Sequence, residues 1–132
     1  MTHRAAGSFT VSMTPAAPAG RAGRTSLGRM LLDKVYRGEL AATGKGEMLT
    51  AMTDTSGSAS YVAIEQIEGV LLGREGSFVV HHTGTMAGGV DRLAIAIVPD
   101  SGTGELTGIA GELRLQAVDG EHRYELLYSL PQ

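Results

Sequence analysis

No cysteine occurs in this chain of 132 residues. That excludes disulfide staples and cysteine-based metal sites, and it fits a reducing compartment. Aromatic residues are scarce, at 5% with no Trp, and no basic patch with interleaved aromatics occurs. Nucleic acid is therefore not an expected partner. No apolar run approaches the roughly 20 residues that cross a bilayer as a helix. The opening segment, MTHRAAGSFTVSM, lacks the basic end and apolar run of a signal peptide. A cytoplasmic, soluble protein with no membrane partner is expected. Neither sign of charge dominates: 11 Lys and Arg against 14 Asp and Glu give −3, which bears on solubility and not on substrate. Gly102-Thr103-Gly104 lacks the Lys-Ser/Thr of a P-loop, and no helix follows it. No Gly-x-Ser-x-Gly elbow opens a helix either. No cofactor is expected.

What the chain has in excess is glycine. It supplies 19 of the 132 residues, about twice the usual ~7%. The glycines fall between segments of alternating polarity, a pattern of many turns. Phe9, Val11 and Met13 alternate with Ser8, Thr10 and Ser12, the period of two of a half-buried strand over residues 5–13. Pro15 to Arg24 reads as a loop without ladder partners, its two arginines solvated. Leu27 to Tyr36 is a strand with Met30, Leu32, Lys34 and Tyr36 on one face. Leu40 to Met52 follows, and its interior Gly44 and Gly46 predict bulges or sharp bends. Asp54-Thr55-Ser56-Gly57 is a turn.

Ser58 to Met86 reads as a hairpin. With Arg74-Glu75 as its loop, Leu71 lies opposite Phe78, Ile67 opposite His82, Glu65 opposite Gly84, and Ala63 opposite Met86. One face then holds Tyr61, Ala63, Glu65, Ile67, Leu71, Phe78, Val80, His82 and Met86, and it is the more apolar face, hence inward. Gly88-Gly89 turns the chain into a strand with Leu93, Ile95 and Ile97 inward, ended by Pro99. Asp119-Gly120 is the strongest turn signal in the chain. It pairs Arg114 with Glu125 and Gln116 with Arg123. In all, about eight strands with short loops and no helix predict an all-β, antiparallel barrel, one domain over residues 1–132.

The stretch from Ser101 to Gly111, SGTGELTGIAG, resembles the glycine signature of allene oxide cyclases and dirigent proteins. The chain as a whole is similar to an uncharacterised bacterial group, the domain-of-unknown-function 3224 family. The similarity is carried by Gly28-Arg29-Met30, residues 45–49 (KGEML), residues 57–65 (GSASYVAIE), Gly76-Ser77-Phe78 and residues 98–106 (VPDSGTGEL). The resemblance implies an allene oxide cyclase-like barrel of eight strands and a homo-oligomer. It implies no activity.

Glu65 and His82 are the leading site residues, diagonal neighbours on the inward face. A buried carboxylate has its pKa raised unless paired, which makes acids and bases. Gly69 and Gly84 on that face are expected to leave space. Adjacent strand residues point to opposite faces, so His81-His82 is not a metal site, and no metal is expected. Lys34 is expected to snorkel to the barrel rim, with pairing to Glu65 as the alternative. Met48, Met52 and Met86 are expected along one side of the interior, where polarisable side chains suit varied apolar ligands. Tyr61 shares that face. The expected function is binding of a small, mainly apolar molecule by Glu65, His82, Tyr61, Met86, Met48 and Lys34. An isomerase or cyclase using Glu65 and His82 as acid and base is the alternative. A filled, purely structural oligomeric module is the third reading.

Overall fold

The computed structural model describes residues 2–16 and 20–131. Its strands are β1 (His3–Pro15), β2 (Gly20–Ala22), β3 (Thr25–Gly38), β4 (Leu40–Met52), β5 (Ala59–Leu71), β6 (Arg74–Ala87), β7 (Val90–Ile97), β8 (Thr103–Gly104), β9 (Ala110–Val118) and β10 (Glu121–Ser129). Eight of them form one antiparallel sheet in the order β1-β10-β9-β7-β6-β5-β4-β3, and β1 pairs with β3 to close it. The expected all-β barrel of eight strands is observed, with β2 and β8 as short additions. Closure leaves none of the eight with an open edge.

β2 corrects the reading of Pro15–Arg24 as a loop without ladder partners. Gly20–Ala22 pairs with Thr25–Leu27, and Pro15 ends β1 opposite Met30. Ala17, Pro18 and Ala19 of that loop lie outside the described residues. The two arginines are exposed, as expected, with Arg24 3.5 Å from Asp54.

Alternation holds around the barrel. Leu32, Lys34 and Tyr36 of β3 are buried, as are Ile95 and Ile97 of β7 and Tyr124, Leu126 and Tyr128 of β10. The β9–β10 hairpin has the expected register, with Arg114 opposite Glu125 and Gln116 opposite Arg123. The β5–β6 hairpin does not. Its turn is Leu72-Gly73, both with positive φ (46° and 85°), the geometry of a type I′ turn. Arg74 and Glu75 are already paired strand residues, so Glu65 sits opposite Val80, Ile67 opposite Phe78 and Ala63 opposite His82. The shift is an even number of residues. It moves partners along the strand and leaves every side chain on its expected face.

Two expectations about glycine are also corrected. Gly44 and Gly46 make no bulge, since β4 keeps an unbroken register with both neighbours. A Cβ at Gly44 would stand 2.1 Å from the Glu65 Oε2, and one at Gly46 would stand 2.1 Å from the Ile64 carbonyl oxygen. Close approach is what these positions require. Gly69 and Gly84 do not leave space either. The Tyr61 ring fills the place of a Gly84 side chain, and the Ala41–Ala42 backbone that of Gly69.

The two halves of the barrel differ. Tyr36, Leu40, Ile67, Leu71, Phe78, Val80, Leu126 and Tyr128 fill the half that ends at the β3–β4 and β5–β6 turns. Leu106 and Ile109, from the connection between β7 and β9, complete this core at 1% exposure each. Tyr124 ties the same end together. Its hydroxyl accepts from the Leu40 N–H (2.9 Å) and donates to the Arg37 carbonyl (2.8 Å). The other half, toward Met13, Met48 and Tyr61, is open.

Candidate functional site

Glu65 stands midway along β5 and is wholly buried, at 0% exposure. Three side chains converge on its carboxylate. Lys34 donates from Nζ to Oε1 (3.1 Å), His82 meets the same oxygen through Nε2 (2.9 Å), and the Tyr36 hydroxyl donates to Oε2 (2.5 Å). Lys34, Tyr36 and His82 are themselves buried. The Lys34 ammonium also lies 5.3 Å from the centre of the Phe9 ring and 5.8 Å from that of Tyr36, within cation–π range.

The reach of this cluster follows from the strand order. Lys34 and Tyr36 come from β3, and Glu65 comes from β5, with β4 between them. Neighbouring strands lie about 4.8 Å apart, so the two sides are separated by roughly twice that. At the intervening position β4 places Gly44, opposite Lys34 on one side and Ile67 on the other. Without a Cβ there, the Glu65 carboxylate crosses over β4 to meet Lys34 and Tyr36.

Burial pushes the Glu65 carboxyl pKa up, but the His82 hydrogen bond, the Lys34 charge and the Tyr36 hydrogen bond outweigh it and hold it below the ordinary carboxylate value. Burial and then the facing Glu65 charge push the Tyr36 phenol far up, so it remains a donor. An ionised carboxylate only accepts, so the His82 Nε2 carries the proton in their shared bond. Among the described residues, no buried side-chain nitrogen or oxygen lacks a partner.

A cavity of about 390 Å³ lies above this cluster. Phe9, Val11, Leu32, Met48, Tyr61, Ala63 and Leu115 form its apolar wall, Lys34 and His82 its polar floor, and Met13, Gln116, Ala117 and His122 the remainder. Glu65 is not part of the lining and acts on it through Lys34 and His82.

The expected pairing of Glu65 with His82 is present. In the expected register they were diagonal neighbours on one side of the pair, and in the observed register they are diagonal neighbours on the other. Lys34 is a correction: it does not reach the rim, but at 6% exposure turns inward to Glu65, because a buried carboxylate outcompetes solvent for the ammonium. Met48 and Tyr61 line the cavity as expected. Met86 and Met52 are a further correction. They are 40% and 60% exposed and border a separate hollow of about 370 Å³ at the open rim, where the β5–β6 ladder runs out. Tyr61 borders both spaces. His81 is exposed on the outer face while His82 is buried, so the adjacent rings do not share a site. Tyr36 was not foreseen as a site residue. The available signal was its place two residues from Lys34 on the same strand face.

These features belong to a small antiparallel barrel with a polar cluster under an open cup. The chain belongs to the family described as protein of unknown function (DUF3224), whose model matches residues 5–128. A solved structure of a DUF3224-family protein of unknown function from Shewanella oneidensis MR-1 is similar throughout. It shares 47% identity over 100% of this chain and 99% of that one, with a TM-score of 0.94. No curated protein matches the chain.

Proposed function

We propose that the barrel binds one small, mainly apolar molecule in its open half. The observation that carries this reading is the cavity of about 390 Å³, within the roughly 300–1,000 Å³ typical of ligand sites. Its wall is apolar, and its few polar groups converge on one floor, the usual division between affinity and orientation. Binding is favoured over acid–base catalysis by Glu65. That carboxylate is sealed from the cavity, holds three donors and has a lowered pKa, the reverse of what a general acid needs.

We infer further that the protein works as a cytoplasmic homo-oligomer of the allene oxide cyclase-like and dirigent-like kind. Support comes from the outer face of β4 and β5, where Leu49, Val62 and Ile64 are 50–57% exposed as one apolar patch. Light scattering on the purified protein checks the oligomer, and a monomer at micromolar concentration would refute it.

Native mass spectrometry of protein purified from its own host tests the binding reading, with Nile red fluorescence as a second readout. A retained small molecule or a saturable fluorescence increase is expected. Ala63→Leu, which projects into the cavity, should abolish both. Bare protein that also fails to take up Nile red would overturn the proposal.

A further inference from the structure

The floor of the cavity has a hydrogen-bonding pattern that selects among apolar ligands. Resting on the binding reading above, we propose that the ligand carries a neutral hydroxyl group, which docks between Lys34 and His82, accepting from the Lys34 Nζ and donating to the His82 Nδ1.

The donor and acceptor count carries this. Lys34 has three N–H donors, of which one is given to Glu65 (3.1 Å). His82 spends its Nε2–H on the same carboxylate oxygen (2.9 Å). Neutral imidazole then presents Nδ1 as an acceptor. Nδ1 has no protein partner among the described residues, yet no buried polar nitrogen there is left unpaired; it is therefore open to the cavity that His82 lines. Lys34 and His82 share that oxygen and both line the cavity, so a free donor and a free acceptor face the same space. One donor and one acceptor together match a hydroxyl, which both accepts and donates.

Charge favours the same class. The positive Lys34 and negative Glu65 cancel, so the floor is neutral. A carboxylate ligand would bring an uncompensated charge into an apolar cup and set its oxygen against the Nδ1 lone pair. An ether or ketone would satisfy Lys34 and leave Nδ1 facing it unpaired. His122 and Tyr61, the other titratable side chains of the lining, make no hydrogen bond to Glu65, whose partners are Lys34, Tyr36 and His82.

The test compares 1-adamantanol, 1-methoxyadamantane and 1-adamantanecarboxylate by calorimetry at neutral pH. The alcohol is expected to bind about tenfold more tightly than the ether, the worth of one hydrogen bond plus the relief of an unpaired acceptor, and the carboxylate more weakly still. His82→Met removes the cavity-facing acceptor while Lys34 and Tyr36 still donate to Glu65, so it should bring alcohol and ether to near equality. Nitrogen-15 spectra of the wild-type protein give an independent readout if that variant fails to fold: the alcohol should shift the His82 Nδ1 resonance and the ether should not. Equal binding of alcohol and ether, or tightest binding of the carboxylate, would overturn the hydroxyl assignment while leaving apolar binding in place. Binding of none of the three, together with failure to take up Nile red, would overturn both.

Discussion

Glu65→Gln is the sharpest perturbation this barrel offers. The amide keeps nearly the volume of the carboxylate and can still accept from Lys34 and His82, while the Tyr36 hydroxyl rotates to accept from its NH₂. What is lost is the charge that compensates Lys34, whose side chain is 5% exposed and whose Nζ is 3.1 Å away. Removing one member of a buried ion pair costs about 3–5 kcal/mol, because the other is left buried and uncompensated. That is a large fraction of the roughly 5–15 kcal/mol by which domains are stable. Lys34→Met should be destabilising for the mirrored reason, less so because Tyr36 and His82 still hold the carboxylate. The double variant Glu65→Gln/Lys34→Met leaves no charge to strand. Its loss of stability should fall short of the sum of the two single losses by at least about 2 kcal/mol, within the range seen for directly coupled residues. Urea unfolding followed by far-ultraviolet circular dichroism measures all four proteins. Single variants within about 0.5 kcal/mol of wild type, or losses that simply add, would refute the claim that Lys34 depends on Glu65 for its charge.

Other outcomes follow from the same geometry. Gly44→Ala puts a Cβ 2.1 Å from the Glu65 Oε2 and should cost about 2 kcal/mol or more by forcing the cluster apart; Gly20→Ala, with nothing within 4 Å, is the control and should change the urea midpoint little. Leu72→Asn should stabilise by up to about 1 kcal/mol, because Leu72 sits at φ 46° in a turn that suits Asn-Gly, and its side chain is half exposed. In acid, the lowered Glu65 pKa means that the unfolded chain takes up this proton first as pH falls. The stability Glu65 contributes is complete above the ordinary value of 4.5 and is lost as pH drops from there through the folded value. Glu65→Gln should therefore show a flatter decline of stability with acid than wild type, measured by thermal melts across that range.

The barrel was legible because strand alternation and turn chemistry are local. Asp119-Gly120 located its hairpin because both turn residues readily take positive φ (52° and 78°). The β5–β6 turn misled for the opposite reason. Gly73-Arg74-Glu75-Gly76 is better turn chemistry than Leu72-Gly73, yet the chain turns at the leucine. The observed turn pairs Leu71 with Arg74 and sets Ile67 opposite Phe78 in the filled core, with one leucine held at positive φ. Faces survived this error because they depend only on parity, so Glu65 and His82 were found together. Lys34 was misplaced and Tyr36 passed over because their meeting with Glu65 spans two ladders. Nothing in the pattern of one strand reports what lies two strands away.

Gly44 is where that long-range fact is written in the sequence. A glycine inside a strand weakens it and contributes no packing, and Gly44 and Gly46 both point inward along β4. Read alone, they suggest a bend. Read with Lys34 opposite Gly44 and Glu65 opposite Gly46, they mark the gap through which a carboxylate on one strand reaches an ammonium two strands away. Such a pair is poor value as a stabiliser, since well-packed apolar residues in its place are often as stable or more so. The filled half of this barrel is built in that apolar way, from Ile67, Leu71, Phe78 and Val80. The charges stand instead at the boundary between the filled half and the cup, where Lys34 and His82 line the cavity and Glu65 behind them fixes their orientation. That placement is what a recognition floor requires and what a packed core does not.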